Sequence, residues 1–383
     1  MKRTPSVHLW IPNLFCLKGG IQVYSEFFLK ALSISNPELN QDVFLKHDAY
    51  SHEYVPNSNN HRYYFAGQYS PYLRTFTFTL QILFHGLWQR PSLIFSNHLN
   101  FSIVAYWLKC LVGTPYWITV YGIEAWNVEN TSLKKALKNA DKILSISNYT
   151  RDRLIHEQNI DPSKISLLPC TFDISRFKIA PKPEYLLQQY KLKPSQPVIL
   201  TVARLAETEK YKGYDQILKS LPQIRNSIPN IHYILVGKGN DKSRIEQLIT
   251  QLDLQDHVTL AGFVPDEQLC DYYNLCDVFA MPSKKEGFGI VYLEALACGK
   301  PVLAGNQDGS VDAVCQGELG ALVNPDDTQE IAQTLIQILK GAYPNPLIYQ
   351  PEALRQKVVD TFGFERFQQT LASHLHEHFQ PRG

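Results

Sequence analysis

The sequence lacks the features that mark several classes of protein. No uncharged apolar run approaches the roughly 18 residues that a membrane-spanning helix needs, and Met1-Lys2-Arg3 leads into a short strand pattern rather than the apolar run of a signal peptide. The seven cysteines contain no C-x-x-C pair, so we expect reduced cytosolic thiols rather than a zinc site or a disulfide framework. Neither sign of charge is in excess, since 37 basic residues stand against 36 acidic ones, and this balance does not indicate nucleic acid as a partner.

Two functional classes are disfavoured by missing motifs. A dehydrogenase built from two nucleotide-binding halves would carry a G-x-G-x-x-G after its first strand, with an acidic residue downstream, and this pattern is missing. A two-lobed solute-binding protein would need an export signal, which the first residues do not provide. We therefore expect neither class.

Short apolar strands alternate with helical patterns along the chain, which predicts parallel sheets with helices on both faces. The strands expected in the first half are Val7–Ile11, Val43–Lys46, Leu93–Ser96, Tyr116–Val120, Ile143–Ile146 and Ile165–Leu168. Those expected in the second half are Val198–Ala203, His232–Val236, Val258–Leu260, Val278–Ala280 and Pro301–Ala304. The 383 residues suit two domains of ordinary size, so the prediction is an α/β protein with two doubly wound Rossmann-like domains that face a central cleft.

A passage rich in proline and lysine lies between the two halves and predicts a linker at residues 181–197. The first domain is then expected over residues 1–180 and the second over residues 198–364. The tail from Pro351 to Phe379 is predicted to be helical, with a break near Phe362-Gly363-Phe364.

The most informative stretch runs from Glu286 to Glu294, two carboxylates eight positions apart around a glycine-rich turn. The preceding residues predict a buried strand, and the following residues predict a helix that ends near Gly299. Glu286 is therefore expected in the loop after the strand, and Glu294 one to two turns inside the helix. The free N–H groups of Gly289, Ile290 and Val291 at the helix start would attract an anion. A ligand with hydroxyls on both sides of a phosphate, such as a nucleotide sugar, suits this arrangement.

The run from Glu286 to Val302, E-G-F-G-I-V-x-L-E-A-x-A-C-G-x-P-V, resembles the E-x7-E signature of the retaining glycosyltransferases of family 4, which have the GT-B fold. The resemblance implies that Glu294 accepts hydrogen bonds from ribose hydroxyls and Glu286 from hydroxyls of the transferred sugar. It also implies that the backbone N–H groups of Phe288, Gly289 and Ile290 contact sugar and phosphate. By the same resemblance, the last helix, at about residues 365–383, packs back on the N-terminal domain.

The second domain carries further residues that match the family. Arg204 ends its first strand and Lys212 precedes a glycine, and in the family such a pair clamps the two phosphates, where preorganised cations stabilise the departing diphosphate. Lys210 is a nearby competitor for the role of Lys212. Gly237, Phe263 and Val264 lie in turns that in relatives meet the nucleotide, and Asp308 is a candidate wall of the cleft.

The first domain supplies candidates for the diphosphate, the sugar and the acceptor. Gly19 and Gly20 open the first helix and match the family's diphosphate-contacting loop. Many relatives carry a histidine near the reacting carbon where this chain has Tyr121, so either Tyr121 or His98, at the end of a neighbouring strand, is expected in that role. Glu124 is a candidate acceptor ligand, with a surface position as the alternative.

An aromatic-rich stretch from Tyr69 to Trp88 admits two interpretations. Such a helix most often packs in a core or between domains. It could instead touch a lipid-linked acceptor or the face of a membrane.

The resemblance implies transfer of a hexosyl group from a nucleotide sugar to a hydroxyl of a saccharide or lipid-linked saccharide, with Arg204, Lys212, Glu286 and His98 as catalytic candidates. No D-x-D triplet is present to hold a divalent metal, so neither a metal nor another cofactor is expected. Motifs at Asn97–Asn100, Gly122–Trp126 and Gln307–Ser310 look like cyanobacterial exopolysaccharide glycosyltransferases, with the heterocyst-envelope type among them. UDP-glucose is the expected donor, with GDP-mannose as the alternative and a GT-B-like sugar nucleotide epimerase as the rival class. We expect the protein in the cytoplasm or peripherally at the inner face of the plasma membrane.

Overall fold

A computed structural model of the protein describes residues 6–16, 19–50 and 60–379. Contacts between Cα atoms divide the chain into two compact units. The first contains Met1–Thr171 and Phe364–Gly383, and the second contains Phe172–Gly363. Each unit is built around its own parallel sheet.

The first unit contains a seven-stranded parallel sheet. Its strands are β1 (Ser6–Ile11), β2 (Asn40–Leu45), β3 (His61–Phe65), β4 (Leu93–Ser96), β5 (Tyr116–Val120), β6 (Lys142–Ser145) and β7 (Ile165–Leu167). Their order across the sheet is β3-β2-β1-β4-β5-β6-β7. The helices between them are α1 (Gly20–Ser35), α2 (Pro71–Gln89), α3 (Ser102–Val112), α4 (Thr131–Asn139) and α5 (Asn148–Gln158).

The second unit contains a six-stranded parallel sheet in the order β10-β9-β8-β11-β12-β13. Its strands are β8 (Val198–Val202), β9 (His232–Val236), β10 (Val258–Gly262), β11 (Val278–Met281), β12 (Val302–Gly305) and β13 (Ala321–Val323). Its helices are α6 (Glu184–Gln189), α7 (Tyr214–Ser227), α8 (Lys242–Gln251), α9 (Asp266–Leu275), α10 (Ile290–Ala297), α11 (Ser310–Ala313), α12 (Thr328–Leu339) and α13 (Pro351–Phe362). The chain ends in α14 (Phe364–Phe379), which belongs to the first unit.

The predicted alternation of strands and helices is confirmed, and eleven strands lie where the apolar runs predicted them, within three residues at each end. These runs are mostly apolar because helices cover both faces of a parallel sheet. Two strands were missed. β3 has the sequence His-Arg-Tyr-Tyr-Phe, lies at the edge of its sheet and is only partly buried. Because its first residues are polar, it lacks the apolar run from which the other strands were predicted. β13 has only three residues and also lies at an edge.

The division into units differs from the predicted boundaries. Residues 172–197, expected as the end of the first domain and a linker, make their contacts within the second unit. The Lys182 ammonium pairs with Asp277 at 2.6 Å, and the Ala180 N–H donates to Asn274 at 2.9 Å. The segment rich in proline and lysine is therefore held to the second unit by polar contacts. It also contains a short helix, α6.

The predicted helical tail is interrupted at Gly363, so that α13 lies in the second unit and α14 in the first. The Phe367 ring packs edge-on against Tyr24 of α1, with 5.4 Å between ring centroids, and Lys142 pairs with Glu377 at 3.0 Å. The last residues of the expected helix, 380–383, lie outside the described residues.

Helix α2 contradicts the packing interpretation of the aromatic stretch. Only Phe78, Ile82 and Gly86 of this helix are buried. Tyr72, Phe76, Phe84 and Trp88 are exposed. Among the helices of the described ranges, none combines the length and hydropathy required to cross a bilayer.

Candidate active site

The strand order places the candidate residues of the second unit at one edge of its sheet. β8 and β11 are adjacent although the chain forms β9 and β10 between them, so the sheet order reverses at this pair. Arg204 follows β8, and Glu286 follows β11. In open parallel sheets, ligands bind beyond the carboxyl ends of the strands at such a reversal point.

Lys212 and Glu286 form an ion pair at this edge, and each side chain is only 17% exposed. Burial by itself lowers the pKa of Lys212, but the charge and hydrogen bond of Glu286, together with Tyr211 and Glu209, outweigh it and leave this pKa above its ordinary value. The lysine is therefore a fixed positive charge. Lys210, the competitor, lies instead 3.9 Å from Asp241, so the geometry favours Lys212 as the lysine of the site.

Arg204 extends into solvent and pairs with the Glu209 carboxylate at 2.5 Å. Arg244 of α8 joins Asp215 at 2.8 Å and Asp241 at 2.5 Å, and this network links the starts of α7 and α8. A mostly exposed guanidinium held by one carboxylate can turn toward an arriving phosphate, for which its planar fork is suited.

The start of α10 has the form of a helix end that can bind an anion. No described side chain caps this helix, whose first N–H groups lack partners within the helix. Gly289, immediately before it, has φ of +93°, and a Cβ there would lie 2.4 Å from the Tyr292 ring, so only glycine fits. Phe288 is buried and its ring packs on Phe362 at 5.4 Å. Only the backbone of Phe288 is therefore available to a ligand.

Asp308 holds the loop that carries Glu286. Its buried carboxylate accepts hydrogen bonds from the Glu286 N–H at 2.7 Å, the Ser283 hydroxyl at 2.7 Å and the Ser310 N–H at 2.9 Å. Burial raises the pKa of Asp308, and these donors oppose that rise. The sequence suggested only a cleft wall, because the contact between residues 286 and 308 links loops after different strands.

Glu294 is partly buried within α10, and the Tyr273 hydroxyl donates to it at 2.6 Å. Burial raises the pKa of Glu294 to about 7, although the Tyr273 hydrogen bond lowers it. Ligand hydroxyls that donate to this carboxylate would favour its charged form. The position and chemistry suit an acceptor for a pair of ribose hydroxyls.

The glycine turn after β9 lies against the loop after β8. Gly237 has φ of +144°, and a Cβ there would lie 1.8 Å from the Ala203 carbonyl oxygen. Beyond β10, Phe263 is exposed with the Lys238 ammonium 4.7 Å from its ring centroid, whereas Val264 is buried. Phe263 can therefore offer a ring to a planar base, while the Val264 side chain serves packing.

In the first unit, Gly19 and Gly20 begin α1 at the carboxyl edge of the sheet. Both are exposed, and no described atom lies within 4 Å of a Cβ built at either position. The loop before them is fixed by Asp48, which accepts hydrogen bonds from the Leu14 and Cys16 N–H groups at 2.5 and 2.7 Å. Residues 17 and 18 of the predicted loop lie outside the described residues.

His98 follows β4 and caps a short helical turn, where its Nδ1 accepts from the Asn100 N–H at 3.2 Å. The other ring nitrogen, Nε2, is then the one that carries the proton. Burial lowers the pKa of His98 to about 4, helped by the charges of Lys46 and His47. The imidazole is therefore neutral at pH 7 and can donate a hydrogen bond without bringing charge.

Tyr121 and Glu124 are held within the first unit by their own neighbours. The Tyr121 ring is buried and packs edge-on against Tyr24, with 5.3 Å between centroids. The Glu124 carboxylate accepts a hydrogen bond from the Tyr121 N–H, and burial raises the pKa of Glu124. Of the two residues, His98 is partly exposed, whereas Tyr121 is buried.

Clusters of metal-ligating side chains were sought within residues 6–16, 19–50 and 60–379. No group of three or more His, Cys, Asp or Glu side chains is arranged there to hold an ion. Glu286 pairs with Lys212, and Arg204 pairs with Glu209.

Two family models match this chain, one to each half. The model described as Glycosyltransferase Family 4 matches residues 19–176, and the model described as Glycosyl transferases group 1 matches residues 184–353. Together they cover most of the sequence. The chain is a family 4-like glycosyltransferase of the GT-B fold.

Known proteins agree with this assignment. A GDP-mannose-dependent alpha-(1-6)-phosphatidylinositol monomannoside mannosyltransferase of Mycolicibacterium smegmatis is 32% identical over 223 residues, which are 55% of this chain and 56% of that protein. The chain thus spans about half the length of the curated relatives it matches. Among solved structures, HepE of Anabaena in complex with UDP has a TM-score of 0.79 at 20% identity and covers 97% of this chain and 100% of its own. Sucrose-phosphate synthase of Thermosynechococcus elongatus has a TM-score of 0.78 at 23% identity, covering 98% and 99%.

Proposed function

We propose that this glycosyltransferase transfers a glucosyl group from UDP-glucose to a hydroxyl of a saccharide or lipid-linked saccharide, with retention at the anomeric carbon. The observation that carries the proposal is the Lys212–Glu286 ion pair beside the uncapped start of α10. A diphosphate bound at that helix start would meet the Lys212 ammonium, and the transferred sugar would meet Glu286. Such an arrangement of fixed charges favours the departure of a nucleoside diphosphate.

The remaining candidates keep the roles that the resemblance implies. Arg204 would close on the diphosphate, and Glu294 would accept hydrogen bonds from the ribose hydroxyls. The backbone of Phe288, Gly289 and Ile290, with Gly19 and Gly20 of the first unit, would approach phosphate and sugar closely. Neutral His98 would donate to the sugar, and Glu124 remains the proposed acceptor ligand.

Proton transfer in this reaction needs no dedicated base. Bond cleavage leaves negative charge on the diphosphate, and an oxygen of that group can take the proton of the attacking hydroxyl on the same face of the sugar. Positioning and charge stabilisation then supply the rate enhancement. We propose that no divalent metal takes part, since Lys212 and Arg204 provide the positive charge.

The proposed donor is supported by solved structures, and the proposed acceptor is supported by curated relatives. HepE was solved with UDP and glucose and with UDP-glucose, whereas several curated relatives are named as GDP-mannose-dependent. UDP-glucose is our proposal, and mannosyl transfer from GDP-mannose is the second candidate. Relatives named for phosphatidylinositol mannoside acceptors support a lipid-linked acceptor. We place the activity in exopolysaccharide synthesis at the cytoplasmic face of a membrane.

Calorimetric titration of UDP, GDP, ADP and NAD⁺ with EDTA present tests the proposal. We expect selective binding of UDP, weakened by Arg204→Ala but not by Arg225→Ala, an arginine that pairs with Asp253 on the surface. Selective GDP binding would move the donor to GDP-mannose, and binding of NAD⁺ alone would overturn the assignment. A change of the donor sugar without any acceptor would identify an epimerase instead.

A further inference from the structure

Helix α2 has two apolar faces, and only one of them is covered. Phe78, Ile82 and Gly86 recur every four residues and are buried, and a Cβ at Gly86 would collide with Leu108 of α3. A second row with the same spacing is offset by two residues, which is about 200° around the helix. Its members are Tyr72, Phe76, Leu80, Phe84 and Trp88, with exposed fractions of 92%, 62%, 48%, 62% and 77%.

This exposed row is a continuous feature rather than a set of scattered side chains. It runs along a helix of 19 residues, which is about 28 Å in length. Phe84 and Trp88 stack with an interplanar angle of 9°. Helix α3, which packs beside α2, also exposes Trp107 and Leu111. Contiguous exposed apolar surface of this kind marks an interaction site in a folded protein.

The segment of sequence that carries this surface has basic residues and no acidic ones. The sequence contains no Asp or Glu from Tyr54 to Ile123, a run of 70 residues in a chain with 36 acidic residues. Arg74 lies in the first turn of α2, and Arg90 immediately follows the last. Neither forms an ion pair with a described carboxylate: Arg74 donates to the Gly67 and Tyr69 carbonyl oxygens, and Arg90 is exposed. Each end of the aromatic row therefore carries a positive charge that forms no ion pair with a carboxylate of the described residues.

We propose that the exposed row of α2 docks on an anionic lipid bilayer, with the helix lying in the plane of the surface. The aromatic rings would enter the region between headgroups and acyl chains, where amphipathic helices bind. Arg74 and Arg90 would reach lipid phosphates, since long basic side chains extend toward the headgroups. This proposal rests on the proposed function in one respect, because docking would bring the enzyme to a lipid-linked acceptor. Binding to a bilayer can nevertheless be measured without sugar transfer.

The charge pattern favours a bilayer over a second copy of this chain. In a two-fold dimer, the same patch faces itself, so the arginines at the ends of α2 would approach cations of the other copy with no carboxylate from this region between them. An anionic lipid surface supplies phosphate to both ends at once. One partner would then cover the apolar row and also supply anionic groups to the arginines at both ends.

Vesicle co-sedimentation of the full chain tests the proposal. Vesicles of phosphatidylcholine alone are compared with vesicles that also contain phosphatidylglycerol. We expect binding to the anionic vesicles that weakens as sodium chloride is added, because the arginine contribution is screened. The double variant Phe76→Ser/Trp88→Ser should lose about tenfold or more in vesicle affinity, because two apolar rings no longer leave water.

Matched variants keep the test specific. Ile34→Ser/Ile174→Ser removes two exposed apolar side chains outside α2 and should bind anionic vesicles as the unmodified chain does. Thermal unfolding and nucleotide binding of both double variants establish that each is folded. Arg74→Gln/Arg90→Gln should reduce binding to anionic vesicles and leave the weak binding to neutral vesicles unchanged.

Three outcomes would overturn the proposal. They are absence of vesicle binding, equal vesicle binding by the α2 variant and the unmodified chain, and a dimer in solution that Phe76→Ser/Trp88→Ser dissociates. The last result would assign the surface to a second copy. Failure of the proposed function is separable, because a chain that binds vesicles through α2 but no nucleotide would retain this surface and lose the glycosyl transfer.

Discussion

Single residues at the edge of the second sheet decide what this site can bind. Lys212 and Glu286 form an ion pair in which each side chain is only 17% exposed, and in the proposed function the lysine meets a phosphate while the glutamate accepts from a sugar hydroxyl. Glu294 is set apart by its environment, since it shares α10 with apolar residues and receives one hydrogen bond from Tyr273. Local spacing predicted both glutamates, whereas Tyr273 and Asp308 reach them from other segments and could not be predicted from that spacing.

The protonation of Glu294 predicts a pH dependence of donor binding. Its pKa of about 7 in the folded protein lies above the ordinary value, so the carboxyl is neutral below that pH and charged above it. Only the charged form accepts hydrogen bonds fully from two ribose hydroxyls, so affinity for UDP-glucose should rise from about pH 6 to about pH 8. Calorimetry across this range measures the effect, and the diphosphate diester of the donor does not itself titrate there.

Variants of the same pair provide the control for that pH dependence. Glu294→Gln should bind more weakly with no change in affinity across the range. Tyr273→Phe removes the hydrogen bond that lowers the pKa of Glu294, so the midpoint should move to higher pH. An unchanged midpoint in Tyr273→Phe would contradict the assignment of the transition to Glu294.

Asp308→Asn tests the support of the Glu286 loop. The amide has one acceptor oxygen in place of two, so N–H or hydroxyl donors around residue 308 would be left unpaired in a buried site. We expect the free energy of unfolding to fall by about 1–3 kcal/mol, with weaker donor binding. Denaturant titration measures the first and calorimetry the second. Asp360→Asn, at an exposed carboxylate that accepts from Gln356, should change neither quantity.

The elements position these residues through their ends rather than through their interiors. β8 and β11 lie side by side, so the loops after them share one edge, and α10 begins there without a side-chain cap. The apolar runs of the sequence predicted most strands closely because a strand covered on both faces has few polar positions. The short edge strands β3 and β13 lack that signal, and their existence depends on pairing with a neighbouring strand.

Gly289→Ala tests the geometry at the start of α10. A methyl group there meets the Tyr292 ring at positive φ, so the turn must shift and carry the first N–H groups of the helix away from the diphosphate. We expect a loss of roughly tenfold or more in donor affinity. Gly341→Ala is the matched control, since φ is +70° and no described atom lies within 4 Å of the added carbon. It should cost about 1–2 kcal/mol of stability and leave donor binding unchanged.

Over the whole molecule, two similar sheets carry different chemistry. The second unit gathers Arg204, Lys212, Glu286 and Glu294 at one edge of its sheet. The first unit presents neutral His98 and two exposed glycines at the corresponding edge of its own. Helix α2 adds an apolar and basic surface to the first unit. Basic and acidic residues are therefore nearly equal in number over the whole chain but are unevenly distributed along it.

The absence of a metal from the proposed mechanism is tested on the complete chain. We expect sugar transfer to proceed at an unchanged rate after dialysis against EDTA, because fixed cations stabilise the diphosphate. Turnover in a coupled assay, with and without added Mg²⁺ or Mn²⁺, measures this. A strict requirement for either ion would contradict the role given to Lys212 and Arg204.

The sequence by itself determined the alternation of strands and helices, the family and the two glutamates, because apolar runs and a contiguous motif are local properties. Only the tertiary structure decided that Lys212 rather than Lys210 contacts Glu286 and that Tyr121 is buried. It also decided that the aromatic row of α2 is exposed. Helical spacing predicts an apolar row but not what covers it, and α2 carries two such rows. Which row is buried depends on contacts between residues that lie far apart in the chain.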